Sequence, residues 1–334
     1  MNGQVSEFIA SGVLYVLLYA IAGWGLNLQF GTAGIINFGY IMCEAVGAYT
    51  VALCALGKYR LAEGQQHAVF TLSLPFPIPI LLALIVGGVF SAVIGVVVLR
   101  RVKQDQQAVM LLALTLAAVY FVQADPGFLN GAAGISLIPQ PVIGSNVASP
   151  GYEWTFVGAV AVVTVLCWVL VRATTESPFG RALRALRDHE SAAEALGYGA
   201  FRLQLKAFVI GGVLASLAGG ILAYFVTTWS PAAWGYTETF WFFAVVIVGG
   251  TSNLEGIVVG ALIIVGLQQA FEYLPTIGAS ELGVALQTIC AAVLTVGFLA
   301  LRPKGILPER RHRVYGPDLL PALETSRTLV SAEQ

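Results

Sequence analysis

The run "FPIPILLALIVGGVFSAVIGVVVL", residues 76–99, contains no charged or amide side chain in 24 consecutive positions. A helix of about 20 apolar residues is long enough to cross the hydrocarbon core of a bilayer. A transmembrane β-barrel would instead show segments of about 10 residues with alternating polarity, and this run does not alternate. The stretch therefore predicts a membrane-spanning helix.

The rest of the chain repeats this pattern. Of the 334 residues, 57% are hydrophobic and 10% are charged, whereas a soluble domain is about 25% charged. Mean hydropathy is +0.82. We predict an all-α, polytopic helical membrane protein with about nine transmembrane helices (8–10), and the candidate spans are 8–28, 34–56, 76–99, 108–125, 154–172, 204–226, 236–250, 255–273 and 282–301.

The basic residues predict the orientation of these spans. Lys and Arg are kept in short cytoplasmic loops. If the N-terminus is outside, nine spans place every basic residue except Lys58 and Arg60 on the cytoplasmic side, together with the C-terminus. The opposite orientation would put nearly all of them outside.

Two polar, glycine-containing segments interrupt the apolar pattern: "GWGLNLQFGTAGIINFGY" (23–40) and "GGTSNLEG" (249–256). Non-helical backbone at membrane depth is tolerated only where protein buries it or where it faces a water-filled cavity. The first segment is either a surface helix–turn–helix or a broken helix of the kind that transporters place along a pathway. The second segment resembles the first in composition.

Glu44 lies inside the second span. A carboxylate at the bilayer centre costs about 2.5–3.5 kcal/mol on insertion scales. Two interpretations stay open, a functional group facing a cavity and a protonated acid that hydrogen-bonds between helices. With the polar groups at the interruptions, it completes a set of candidate substrate-pathway residues: Asn37, Phe38, Glu44, Tyr49, Thr251 and Asn253.

Other side chains favour structural roles. The segment 227–243 carries four large aromatic residues that predict an interfacial belt, Trp229, Trp234, Tyr236 and Trp241. The four cysteines lie inside apolar spans without a CxxC pair, and the three histidines are not paired at metal-ligand spacing. No metal site is predicted.

One dense polar segment, "RALRALRDHESAAEALG" (181–197), lies between apolar spans. Ser177 followed by Pro178 predicts a helix start, and Gly197 and Gly199 are its predicted ends. Arg184 and Asp188 have the spacing of a helical ion pair. The residues alone leave a connecting loop, a lipid-surface helix and a docking helix open, with docking slightly favoured. Its predicted apolar side comprises Leu183, Leu186, Ala193 and Leu196.

The segment "SAAEALG" (191–197) resembles the EAA-x3-G signature of membrane subunits of bacterial ATP-binding-cassette importers, with Ser191 where the motif has Glu. The wider block 179–223 resembles the branched-chain amino acid permease family. Further segments resemble that family in the same order, over roughly 20–307: "GLNLQFGTAGIINFGY" (25–40), "VGAYT" (46–50), "NGAAGISLIP" (130–139) and "LRPKGIL" (301–307). The chain departs from the family at 249–256, which lacks a Gly-Pro, and at 126–153, which lacks a Thr-Gly-Gly.

The resemblance implies that the loop 173–203 holds a coupling helix seated in a cleft of a cytoplasmic ATPase. The residues that would form it are Arg184, Asp188, Glu190, Ala192, Ala193, Glu194 and Gly197. The implied partners are two cytoplasmic ATP-binding-cassette ATPases, a second homologous permease subunit, an extracytoplasmic substrate-binding protein and the lipid bilayer, without nucleic acid. The expected location is the bacterial plasma (inner) membrane.

The chain contains no GxxxxGK[ST] phosphate loop. We therefore expect no enzyme activity and no bound cofactor in this chain, and the resemblance implies that the partner ATPases use ATP with Mg²⁺. Residues 1–307 would form a single transmembrane permease domain for branched-chain amino acids, and 308–334 a flexible cytoplasmic tail. The alternatives are an importer of urea, short amides or other amino acids, and an ion-coupled secondary transporter using Glu44 or Glu272. An integral membrane hydrolase is disfavoured because no Ser/His/Asp order or HExxH is present.

Overall fold

The computed structural model describes residues 2–63, 66–102, 104–141, 151–272, 281–302 and 305–309. Every helix and turn named below lies within these ranges. The α-helices are α1 (Asn2–Asn27), α2 (Tyr40–Glu63), α3 (Ile78–Arg101), α4 (Gln104–Ala124), α5 (Pro126–Leu129), α6 (Tyr152–Glu176), α7 (Pro178–Asp188), α8 (Glu190–Ala195), α9 (Ala200–Val226), α10 (Tyr236–Gly249), α11 (Leu254–Glu272) and α12 (Glu281–Leu301).

The prediction of a polytopic helical membrane protein is confirmed. Among the described residues, seven helices are long and apolar enough to span a bilayer, and shorter apolar helices follow at Thr237–Gly249 and Ala285–Phe298. These nine helices coincide with the nine predicted spans. The 14 residues of α10 extend about 21 Å, less than the ~30 Å hydrocarbon core. The seventh predicted span is therefore shorter than a full crossing, and it packs against α11.

The centre of the bundle is α9, which packs against α1, α2 and α3. Small residues let these helices approach at backbone distance, as membrane helix interfaces require. At Gly47 of α2, a Cβ atom would overlap the carbonyl oxygen of Ser216 in α9. By contrast, α3 exposes a row of apolar side chains, as expected of a surface in contact with lipid: Leu81, Ile85, Val89 and Val93.

At one end of the bundle, short segments pack over the helices. Ile135 and Trp229 exchange two backbone hydrogen bonds of 2.8 and 2.7 Å. The predicted aromatic belt is wrong for the three tryptophans of this region, because Trp229, Trp234 and Trp241 are all buried. Trp234 Nε1 donates to the Tyr49 hydroxyl at 3.3 Å.

Candidate functional site

The first interruption is buried, irregular backbone. After α1 the chain forms a π-helical turn, Leu28–Thr32, and becomes regular again only at α2. Buried amides hold it. Gln29 Nε2 donates to the Phe208 carbonyl of α9 at 2.8 Å, and Asn37 Nδ2 donates to Gln29 Oε1 at 2.9 Å. Asn37 Oδ1 accepts from the Gly39 amide at 3.0 Å. The first interruption is therefore a buried, irregular turn between α1 and α2, and Asn37 holds it.

The second interruption is the turn between α10 and α11. Gly250 has φ +119° and Ser252 has φ +65°, so the helix cannot continue through them. Asn253 is buried and caps α11, since its Oδ1 accepts from the Gly256 amide at 3.1 Å. Its Nδ2 donates to the Pro308 carbonyl at 3.0 Å. Thr251 is half-buried in the same turn.

The two interruptions meet. Asn27 Oδ1 accepts from the Ser252 amide at 2.8 Å, and the Ser252 hydroxyl donates to the Gly31 carbonyl at 2.6 Å. We call this contact between residues 27–32 and 250–253 the junction. The sequence indicates both interruptions, but nothing in it indicates that they touch, because Asn27 and Ser252 are 225 positions apart.

The predicted coupling helix begins where expected but consists of two helices. The Gly180 amide donates to the Ser177 side chain at 3.4 Å, and α7 follows from Pro178. At His189 the backbone is extended, with φ −153° and ψ 90°, so α7 ends and α8 begins. The single-helix prediction is wrong at this residue. Gly197, at φ +88°, ends the segment as predicted.

The faces of α7 and α8 correct two further expectations. Leu183, Leu186 and Ala193 are buried as predicted, but Leu196 is 79% exposed. Ala193 of the second helix packs with Leu186 of the first, whereas Leu196 follows the last residue of α8. Asp188 pairs with its neighbour Arg187 at 3.0 Å rather than with Arg184. The remaining predicted coupling residues divide into Arg184, which is half-buried, and the exposed Glu190, Ala192, Glu194 and Gly197.

Arg187, which sequence analysis did not select, joins α7 to the junction. Its Nη1 donates to the Gly31 carbonyl, and also to the Ser252 hydroxyl at 2.7 Å. Its Nη2 lies 3.2 Å from the Glu309 carboxylate. The segment 181–187 places arginines at three-residue steps, and no local signal distinguishes this one from the others.

Beside the junction, α10, α12 and the first interruption enclose a groove of about 680 Å³. Of the six predicted pathway residues, all of which are described, Phe38 lines this groove. Its ring centroid lies 5.5 Å from that of Phe240 and 5.2 Å from that of Phe243. Thr237, Thr288 and Thr295 add hydroxyl groups to an otherwise apolar wall. Such a lining suits an apolar side chain with a few polar contacts.

The other two pathway candidates lie apart from the groove. Glu44 is 4% exposed and packs against Gly219 of α9. Within the described chain its Oε2 has no hydrogen-bond partner. Tyr49 is buried and accepts the hydrogen bond from Trp234. The six candidates are therefore distributed over the two interruptions, the groove and the α2 core.

Comparison with known proteins identifies the family. A family model described as "Branched-chain amino acid transport system / permease component" matches residues 8–299. The chain is 26% identical to the probable branched-chain amino acid transport permease protein LivM of Methanocaldococcus jannaschii, over 91% of this chain and 94% of that protein.

Two proteins of Escherichia coli strain K12 are also similar. The high-affinity branched-chain amino acid transport system permease protein LivM is 26% identical over 89% of this chain and 69% of its own length. The permease protein LivH of the same description is 23% identical over 89% and 93%. No solved structure matches. Because the family model covers most of the chain, this membrane protein belongs to the family of branched-chain amino acid transport system permease components.

Proposed function

We propose that the chain is a transmembrane subunit of an ATP-driven importer and forms an alternating-access pathway for branched-chain, hydrophobic amino acids. The names of the similar permeases support this cargo. The lining of the groove beside Phe38 also supports it, since aromatic and aliphatic walls accept a branched side chain.

The observation that carries the proposal is the position of α7 and α8. One side of this pair is buried against the bundle and reaches the junction through Arg187. The other side is exposed, with Glu190, Ala192 and Glu194 followed by Leu196 and Tyr198. Small apolar contacts edged with charges suit insertion into a groove of a partner protein. A docked ATPase would thus act on the junction through one short segment.

The same arrangement supports an orientation. The described arginines of α7 lie at the end of the bundle that carries the junction, and positive charge favours the cytoplasm. We place this end in the cytoplasm. The chain would lie in the bacterial plasma (inner) membrane, with its N-terminus outside and its C-terminus in the cytoplasm. Two ATPase subunits would dock here and use ATP with Mg²⁺. A second permease subunit would complete the pathway, and a substrate-binding protein would deliver cargo to the opposite end.

The rival function is an ion-coupled carrier. The buried carboxyl of Glu44 favours it, because ionisable groups inside a membrane mark ion and proton pathways. The side chain of Glu272, the other candidate, lies outside the described part of the structure, as do residues 310–334 of the expected tail. A carrier of this class needs no ATPase, so the two functions differ in what the exposed side of α8 binds.

Changing Leu196 to aspartate tests the proposal. We expect the amount of ATPase that co-purifies with the solubilised permease to fall about tenfold, the size of effect of losing one anchoring side chain at an interface. The fold should be unaffected because the Leu196 side chain is 79% exposed. The measurement is the ATPase-to-permease ratio after co-expression with the neighbouring transporter genes.

The matched control is Val69→Asp, which introduces the same charge at a position that is 62% exposed at the opposite end. We expect this variant to retain the ATPase. Retention by Leu196→Asp as well, with uptake unchanged, would favour the ion-coupled carrier.

A further inference from the structure

We propose that Arg187 is a positioning residue that transmits displacement of α7 to both helix interruptions at once. This inference rests on the proposed function, because an ATPase must move α7 for the transmission to matter. Arg187 lies in α7, outside the lining of the groove and outside the exposed face of α8. Three features of the structure support it.

First, α7 is seated against the first interruption at backbone distance. Leu183 and Leu186 are buried and anchor its apolar face. Gly34 has φ +73°, and a Cβ atom there would lie 3.1 Å from Cγ of Arg187. Glycine is the residue that adopts this backbone conformation without strain and leaves the space that Arg187 occupies.

Second, the guanidinium spans three segments that are remote in sequence. It contacts the carbonyl of Gly31, the hydroxyl of Ser252 and the carboxylate of Glu309. The Arg187 side chain is 24% exposed, so these bonds are partly shielded from water. A planar guanidinium with five donors can hold several acceptors in fixed directions, whereas a lysine presents one compact charge. A displacement of α7 is therefore passed by the Arg187 side chain to both interruptions at the same time.

Third, the contacts of Arg187 lead to the wall of the groove. The amides of Ile306 and Leu307 donate to the carbonyls of Val248 and Gly249 at 3.0 and 3.1 Å. The segment that carries Glu309 is thereby attached to the last turn of α10. Ile247 of that turn lines the groove. Arg187 thus reaches α10 through Ser252 on one side and through Glu309 on the other, so a shift of α7 would displace the α10 wall.

The first test uses the assembled importer in proteoliposomes, with radiolabelled leucine and ATP hydrolysis measured in parallel. For Arg187→Gln we expect leucine uptake per ATP hydrolysed to fall about tenfold, within the usual range of coupling between sites. Arg187→Lys keeps the charge beside Glu309, so its uptake per ATP hydrolysed should lie between the values of the wild type and of Arg187→Gln. The control is Arg181→Gln on the same helix, since the exposed Arg181 donates only to the Glu176 carbonyl among the described residues. It should keep the wild-type ratio.

An unchanged uptake-to-ATP ratio in Arg187→Gln would overturn the proposal. A loss of uptake and ATP hydrolysis in equal proportion, matching a loss of assembled complex, would also overturn it, because Arg187 would then serve assembly alone. Partial recovery in Arg187→Lys with normal assembly supports transmission.

The second test needs no cargo and no ATPase. It therefore examines whether Arg187 joins the two interruptions, independently of whether the proposed function is right. Amide hydrogen exchange is measured on the full chain in detergent micelles. In Arg187→Gln we expect exchange within 28–39 and within 250–253 to accelerate together, by about tenfold, because both segments lose the same bonding partner. Acceleration in neither segment, or in one alone, would contradict a bridge between them. Arg181→Gln should leave both rates unchanged.

Discussion

Replacing Gly47 with valine is expected to prevent the stable packing of α2 against α9. A Cβ atom at this position overlaps the carbonyl oxygen of Ser216 and lies 2.6 Å from its Cα atom. These are backbone atoms of a helix, so no side-chain rotation relieves the overlap and the two helices must separate. Overpacking usually costs about 1–3 kcal/mol, and a backbone clash belongs at the upper end or beyond it. The measurement is the fraction of monodisperse protein that survives heating in detergent.

The matched control for this variant is Gly158→Val in α6. A Cβ atom at Gly158 meets nothing within 4 Å, so the same side chain is added to a transmembrane helix without a clash. We expect its thermal midpoint to stay close to that of the wild type. Equal loss in both variants would show that valine acts through the helix backbone rather than through the α2–α9 contact.

Replacing Glu44 with leucine is expected to stabilise the protein while abolishing most uptake. Glu44 is buried, and its Oε2 has no hydrogen-bond partner among the described residues. An unsatisfied buried polar group costs about 1–3 kcal/mol, and an apolar side chain of similar size removes that cost. Natural proteins retain such groups where function requires them. Thermal stability and leucine uptake should therefore change in opposite directions.

Two further variants show whether the effect belongs to the Glu44 carboxyl. Met42→Leu changes a buried position two residues earlier on α2, and a volume-conserving swap of this kind should alter stability by less than about 1.5 kcal/mol and leave uptake intact. Glu44→Gln keeps a polar group without an acidic proton, so it separates a need for polarity from a need for acid chemistry. Wild-type uptake by Glu44→Leu would place the carboxyl outside the transport mechanism. Reduced stability would show that the carboxyl has a bonding partner.

Features that depend on residues close together in the sequence could be predicted from it. The apolar run 76–99 predicts α3, because the cost of placing polar groups in lipid selects for uninterrupted apolar helices. Ser177 and Pro178 predict the first turn of α7, because capping depends on residues within one turn. The polar segment 249–256 predicts an interruption for the same local reason, and α10 ends there.

The contacts of the candidate site could not be predicted in this way. The arginines at 181, 184 and 187 have the same chemistry and regular spacing, yet the structure brings Arg187 to the junction. The burial of the tryptophans could not be predicted either, since an indole suits both a membrane interface and a protein core. Leu196 was predicted on the apolar side of a single helix, but the helix ends before His189 and Leu196 is exposed.

The sequence by itself determined the helical membrane class, the approximate spans, the two interruptions and the start of the polar segment. These depend on local hydrophobicity, backbone preferences and capping. The tertiary structure decided that the interruptions touch, that Arg187 joins them to α7 and that Phe38 faces the groove. Such contacts join residues as far as 225 positions apart, and their partners are chosen by how whole helices pack rather than by the residues on either side.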